Sequence, residues 1–396
     1  MWRVQLGVWT PWQAFAAAGQ DQISKGGSMT PEKTFVAVAC PGAGAVDVVA
    51  LDAGSGELEA VSRTDGLEGV SALAIDAQGT AYAGCNSGPA GPRLVALSLG
   101  ADASVAQGTA VDLPASTCFL SLEPGSPHIF SASYGDDRLD RVTVPGGPQG
   151  ERVLTFDSGR NSHCAALSPD GRFLYATSLG DDRVSWFSAD FSTDARGGRA
   201  ADDGVIAPVG HVAAEAGSGP RYLRLNSVGD HAYVVHELSG EVAVYARDAE
   251  TGELELRQRV SAVEGLGLEP GVVRGPHTPD PGNGVVWAAD LRLTPDERFL
   301  FTTERSTSTV AAFALAEDGT LEFIDRTPTE TQPCGSVIDP SGQFLLVGGE
   351  GSDHVTAYRI GEEGSLTAVS RVETSGGPVA VECWSLRTHI RPLQVE

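Results

Sequence analysis

Cations are scarce in this 396-residue chain: Lys and Arg total 27 against 52 Asp and Glu, a formal net charge of −25. Such a field repels nucleic-acid phosphates and anionic membrane surfaces, so neither is expected as a partner, and an anionic ligand needs a local arginine cluster. Long apolar runs are missing, and none approaches the ~20 residues that cross a bilayer as a helix. The six cysteines, Cys40, Cys85, Cys118, Cys164, Cys334 and Cys383, form no CxxC pair and no Cys/His spacing of a zinc site. They read as small apolar filler in a protein of the reducing cytoplasm. No GxSxG pattern occurs, which removes the usual serine nucleophile. The DDR tips at 136–138 and 181–183 each carry a cation and read as solvated hairpin tips instead of calcium loops. Neither a metal nor a cofactor is expected.

What is plentiful is turn-forming residues: 49 Gly and 23 Pro beside 41 % hydrophobic content describe a turn-rich globular chain. The leading stretch MWRVQLGVWTPWQAFAAAG has one cation and an Ala-rich end, but Thr10, Pro11 and Gln13 interrupt a signal-peptide core. A secretory signal is thus weakly encoded, and SKGGS just before Met29 looks like a tag or a misplaced start. Residues 1–33 are set aside as an extra segment and 387–396 as a tail, leaving one domain at 34–386.

Residues 287–313, WAADLRLTPDERFLFTTERSTSTVAAF, set the template. Alternating apolar residues around Leu291 and Leu293 make a half-buried strand, and Pro295 and Asp296 supply a turn. Residues 299–303 and 310–313 then return as antiparallel partners. The same turn recurs as IDAQG, LEPGS, LSPDG, LNSVGD and IDPSG, at a spacing of roughly 45 residues that widens around two loops at 192–203 and 265–284. Most of these turns are followed by a second strand, a polar tip, a third strand and a short outer strand. The N-terminal runs FVAVAC, AVDVVALD and GELEAV lack a first strand, whereas GGPVAVECW at the C-terminal end is a strand alone. Joined, they complete a seventh unit. The chain therefore reads as an all-β, seven-bladed propeller closed by pairing of its two ends, which leaves no open strand edge.

In a propeller the first strands ring a central channel, and functional groups gather at one of its mouths. His163 and Arg221 open successive first strands, Glu237 ends a second strand, and Arg305 holds the place of Glu237 one blade later. One His, one Glu and two Arg on three successive blades make an acid/base pair beside an anion clamp. A structural ion pair across the channel, on a binding scaffold without catalysis, uses the same residues.

The runs WAADLRLTPDERFLF, PTETQPCG, GPRYLRLNSVGDHAYVVHEL and SHCAALSPDGRFLYA resemble the seven-bladed propeller lactonases, above all the bacterial 6-phosphogluconolactonases, over about 34–386. The resemblance implies a small anionic lactone or carboxylate substrate and hydrolysis of a sugar lactone, with 6-phosphogluconolactone first. The related fungal carboxy-muconate lactonizing enzymes imply ring closure of a muconate as the alternative. It also implies His163, Arg221, Glu237 and Arg305 as catalytic residues. His236, Asp290 and Arg183 are expected to join the two arginines in binding substrate. Cys334 stands where the family has Arg after TETQP, His236 where it has Asn, and Glu350 where it has Gln. The loss of one cation and the gain of one carboxylate weaken a site for a phosphate dianion. Glu237 is expected to take a proton from water while the arginines hold the oxyanion and His163 donates to the ring oxygen; the reverse assignment of His163 and Glu237 is equally open.

Overall fold

The computed structural model describes residues 34–385 except 77, 101, 124–125, 145–152, 190–205, 276–277 and 279–281. The leading segment 1–33, the tail 387–396, the loop expected at 192–203 and part of that at 265–284 lie outside the described residues.

Period-two alternation resolves into seven antiparallel sheets of four strands each. Blades 2 to 7 occupy 70–112, 119–157, 162–213, 220–261, 288–328 and 333–373 in chain order. Blade 1 takes its inner strand, Ala380–Ser385, from one end of the domain and its other three from the opposite end. Ala380–Ser385 runs antiparallel to Thr34–Cys40, with Thr34 opposite Ser385 and Ala39 opposite Ala380. The expected closure is therefore a ladder of backbone hydrogen bonds.

The template blade shows why the turn residues recur. Thr294 Oγ1 accepts the Phe299 N–H at 3.0 Å, and Asp296 accepts the Arg298 N–H at 3.2 Å. The next position is left-handed in equivalent turns, at φ +71° for Gly171 and +74° for Gly342, and Glu297 adopts it at +57° despite its side chain. The Glu297 carboxylate accepts the backbone N–H of Ser227 in the neighbouring blade's turn, a contact that offsets the strain.

One expectation needs correcting. The outer strands Leu254–Ser261, Leu321–Pro328 and Leu366–Glu373 have eight residues each and are not short; the inner strands of those blades have six. Blades fan outward from the axis, so the rim has room for longer strands. A β-bulge at Val244/Tyr245, Ala312/Phe313 and Ala357/Tyr358 adds the twist that the rim requires.

The core lies between the blades. Phe130 and Leu139 of blade 3 share a cluster with Tyr175 and Trp186 of blade 4 and Tyr245 of blade 5. Phe301 and Val310 of blade 6 pack against Leu345 and Tyr358 of blade 7. Phe344 of blade 7 packs against Val38 and Val49 of blade 1. Each sheet is thus covered on both faces, which explains second strands such as Phe344–Gly349 that are buried at every position. Burial of each large apolar side chain contributes about 1.5–3 kcal/mol, so a blade depends on its neighbours and the inner strands are held in register.

Candidate active site

Two kinds of position, recurring in several blades, build the channel mouth. The first is a bulge at the start of the inner strand, where the ladder skips one residue: His163 between Ser162 and Cys164, Arg221 between Pro220 and Tyr222, Cys334 between Pro333 and Gly335, and Ser71 between Val70 and Ala72. In blade 6 the skip covers Ala289 and Asp290. A bulge leaves its extra residue outside the ladder and re-aims the side chain. The second position is the residue just after the second strand. Its amide donates to the loop before the inner strand: Glu237 to Gly219 O at 2.8 Å, and Arg305, Glu350 and Asn86 to Trp287, Gln332 and Gly69 at 3.0 Å.

The four expected catalytic side chains converge on one carboxylate oxygen. Arg221 Nε donates to Glu237 Oε2 at 2.7 Å, Arg305 Nη2 lies 3.1 Å from the same atom, and His163 Nε2 lies 3.9 Å from it. All four residues are at most 6 % exposed. Backbone carbonyls hold the guanidiniums: Arg221 Nη1 donates to Ala289 O, and Arg305 Nε and Nη2 donate to Trp287 O and Ala288 O. Arg305 stacks 3.9 Å from the Trp287 ring centroid and Arg221 4.2 Å from that of Tyr222. The edges of Tyr134 and Tyr222 flank the His163 ring at 5.6 and 5.3 Å, while Cys118 Sγ lies 3.8 Å from Nδ1.

These contacts set the charges. Burial alone would raise Glu237, but Arg305 and Arg221 outweigh it and hold the carboxyl below its ordinary value. Burial, reinforced by Arg221 and opposed by Glu237, pulls His163 down to about 3. The short His163–Glu237 approach is therefore between a neutral imidazole and a carboxylate at pH 7, not an ion pair. Burial also pulls Arg305 down while Glu237 pulls it up, and a guanidinium starts so far above neutrality that it stays charged.

The three other residues expected to bind substrate have different surroundings. His236 is fully buried, because successive residues point to opposite faces and Glu237 takes the channel side; neither ring nitrogen has a hydrogen-bond partner among the described residues. Asp290 is 1 % exposed, and its carboxylate is occupied by the N–H groups of Leu291 and Ser336, the Ser336 hydroxyl and Arg292 Nε. It clips two inner strands together. Arg183 sits at a blade tip, 3.9 Å from Asp181, and touches none of the four.

Sequence reasoning missed Tyr134, Tyr222, Trp287 and Cys118, which shape the quartet. Their aromatic and small apolar character matches the core, and only the bulges and strand ends distinguish them. A groove of about 610 Å³ lies elsewhere, beside Glu330 and Arg371. Glu330 of the TETQP run is already bound there by Arg371 at 2.7 and 2.9 Å, by Ser352 at 2.6 Å and by Thr356, and so anchors the loop that leads to Cys334. A cavity of about 60 Å³, lined in part by Trp287 and Arg274, adjoins the quartet.

Fold and mouth together define a closed β-propeller in which a carboxylate, an imidazole and two guanidiniums are buried together. The family described as "Lactonase, 7-bladed beta-propeller" matches residues 30–383, and the chain belongs to it. A 6-phosphogluconolactonase of Cronobacter sakazakii is 31 % identical over 255 residues, covering 63 % of this chain and 69 % of the relative. One of Klebsiella pneumoniae is 29 % identical over 234 residues, 58 % of this chain and 63 % of the relative. The solved structure of a periplasmic gluconolactonase of Pseudomonas aeruginosa shares the fold, with a TM-score of 0.72, 23 % identity and coverage of 89 % of this chain and 98 % of that one.

Proposed function

We propose that the chain hydrolyses a sugar lactone to its open hydroxy acid, the lactone being the relatives' 6-phosphogluconolactone or a related aldonolactone. The observation that carries this reading is the crowding of two guanidiniums and an imidazole on Glu237 Oε2. Meanwhile Glu237 Oε1, Arg221 Nη2 and Arg305 Nη1 make no hydrogen bond to a described residue and remain free for substrate.

Both expected assignments of proton roles are narrowed by the charges. Imidazolium is scarce at pH 7 when burial lowers His163 to about 3, so His163 does not begin as an acid. Both groups are weak bases at rest, Glu237 because the arginines hold it ionised and His163 because it is buried, so the assignment between them rests on the tautomer of His163. Nδ1 faces Cys118 and the residue's own carbonyl, which assigns it the proton and leaves the Nε2 lone pair toward Glu237. A water shared by Nε2 and Glu237 attacks the lactone carbonyl and gives its proton to Nε2. The imidazolium so formed is stabilised by Glu237, and the oxyanion by Arg221 and Arg305. When the ring C–O bond breaks, the imidazolium returns the proton to the departing ring oxygen. Two guanidiniums supply the positive charge, so no step calls for a metal. Ring closure of a muconate gains nothing here, because its carboxylates would compete with Glu237 for the same arginines.

We place this activity in a domain at 34–386 and in a reducing compartment such as the cytoplasm, a placement supported by six free thiols. Proton release above the spontaneous background, with gluconolactone and its 6-phosphate as substrates, tests the reading. Glu237→Gln is expected to lower kcat/KM by about 100- to 1,000-fold. Loss-free turnover in that variant, or no excess release with wild type, rejects it.

A further inference from the structure

The quartet stands at a channel mouth, yet each of its residues is at most 6 % exposed. A strap from the loop between blades 5 and 6 passes beside it. The strap starts at the bridge of Glu269 with Val285, where the Glu269 N–H donates to Gly284 O at 3.0 Å and the Val286 N–H to Glu269 O at 2.8 Å. It then runs as GVVRG, residues 271–275. The Gly271 N–H donates at 2.8 Å to the carbonyl of Leu238, the residue after Glu237. Glycine suits this crossing, because a Cβ there would meet Val286 O at 2.5 Å.

Polarity in the strap is inverted. Val272 and Val273 are 61 % and 47 % exposed, whereas the cation beside them, Arg274, turns inward and is half-buried. Desolvating a guanidinium costs free energy that burying either valine would have gained, so packing alone does not account for the order. The Arg274 amide donates to the Tyr134 hydroxyl at 3.2 Å, and Tyr134 flanks His163. Its guanidinium stacks 4.2 Å from the centroid of Trp287, the ring that also carries Arg305 at 3.9 Å. One residue is thus fixed to a neighbour of His163 at one end and to a neighbour of Arg305 at the other, and it lies across the quartet. Those two distances keep the Arg274 and Arg305 Cζ atoms within about 8 Å of each other, the scale of a hexose derivative. Stacking engages the face of a guanidinium, while its N–H groups lie in the plane and meet acceptors edge-on. Nη2 reaches Thr278 O at 3.4 Å in this way.

We infer that Arg274 is a specificity-determining residue of this site: with Arg221 and Arg305 on the lactone carbonyl, it meets the far end of the same molecule and selects an anionic group, a phosphate or a carboxylate, on the exocyclic arm. A guanidinium presents paired N–H groups that match either anion. Glu237 offsets one of the two inner guanidiniums, so Arg274 supplies the positive charge at the outer end. In a chain of net charge −25, such a local cation is what an anionic substrate requires. The inference rests on the lactonase reading and deepens it.

Initial rates above background, with the full chain, test it in wild type, Arg274→Met and Arg274→Lys on glucono-δ-lactone, its 6-phosphate and a glucarolactone that carries a carboxylate at the same end. Arg274→Met is expected to raise KM for the phosphorylated or the carboxylated lactone by about 10- to 100-fold, with kcat changed less than about threefold. KM for the neutral lactone is expected to stay within about threefold. Arg274→Lys keeps the charge without the planar fork and is expected to fall between. Whichever anionic lactone shows the loss identifies the anion. A loss shared equally by all three lactones means that Arg274 only props the strap, and no loss on either anionic lactone means that it does not meet substrate. Either result, or turnover of the neutral lactone alone, overturns the inference while the lactonase reading stands. No excess rate on any of the three removes that reading, and the inference falls with it. If Arg274→Met does not fold, the same comparison in Arg274→Lys decides.

Discussion

The two arcs of the channel mouth share a backbone and differ in chemistry. Asn86 and Glu237 both follow a second strand, with amides bonded back to the preceding loop at 3.0 and 2.8 Å, and Ser71 and Arg221 both fill an inner-strand bulge. Yet Asn86 satisfies its amide on Ser71 and Thr117, so that arc closes on itself. Glu237 instead gathers three partners on one oxygen and leaves donors and an acceptor unmatched. A buried cluster of this kind contributes little net stability, because desolvation cancels much of the attraction. The difference teaches that blade repetition supplies equivalent positions, and that function arises where their occupants break the symmetry.

The largest expected effect tests that comparison directly. Arg305→Ala removes a free donor from the charged arc and should lower kcat by about 100-fold or more. Asn86→Ala on the neutral arc should change kcat by less than about fivefold, with the rest of its effect in KM. Steady-state kinetics on both variants, with circular dichroism to verify folding, would break the comparison if the losses were similar.

A smaller effect concerns the residue before each strand-end position. His236 is buried without a partner among the described residues, and burial, then Arg259, lowers it to about 4; its counterpart Cys85 is pushed by burial up to about 11. An unfolded chain protonates His below about pH 6.5, whereas the folded one resists until about pH 4. Stability is therefore lost as pH falls through that window, by about 1.4 kcal/mol per unit, and Cys85 contributes no such slope. His236→Leu should spare roughly 2 kcal/mol of the loss between pH 7 and 5, as measured by urea unfolding at both values. An unchanged pH slope would show that His236 is not a neutral buried group.

Much of this was legible in the sequence, for reasons that also mark where legibility ends. The turn LTPDE and its relatives impose local hydrogen bonds that survive any tertiary setting, so blade number and closure followed from their recurrence. His163, Arg221, Glu237 and Arg305 stood out because polar groups interrupt apolar strands at matching points. His236 and Asp290, expected to bind substrate, are buried because the face a strand-end side chain takes depends on one residue of register, and the bulges at Pro220/Tyr222 and Ala288/Leu291 alter that register without a sequence mark. Arg183 lies beside Asp181 at a blade tip, because proximity to a mouth along the chain does not specify depth.

The smallest expected effect is none at all. A solvent-exposed histidine base would lose activity below about pH 6.5. Here burial and Arg221 lower His163 to about 3, the arginines hold Glu237 below its ordinary value, and burial raises Cys118 and Tyr134 each to about 12. Nothing in the charged arc then changes protonation between pH 5 and 8. The enzymatic kcat/KM, corrected for spontaneous opening, should stay level across that range even as His236 erodes stability toward the acid end. A fall centred near pH 6.5 in protein that remains folded would mean that the imidazole is solvated. In that case Glu237 and His163 would form an ordinary ion pair at the start of the reaction, with His163 as the acid and Glu237 as the base.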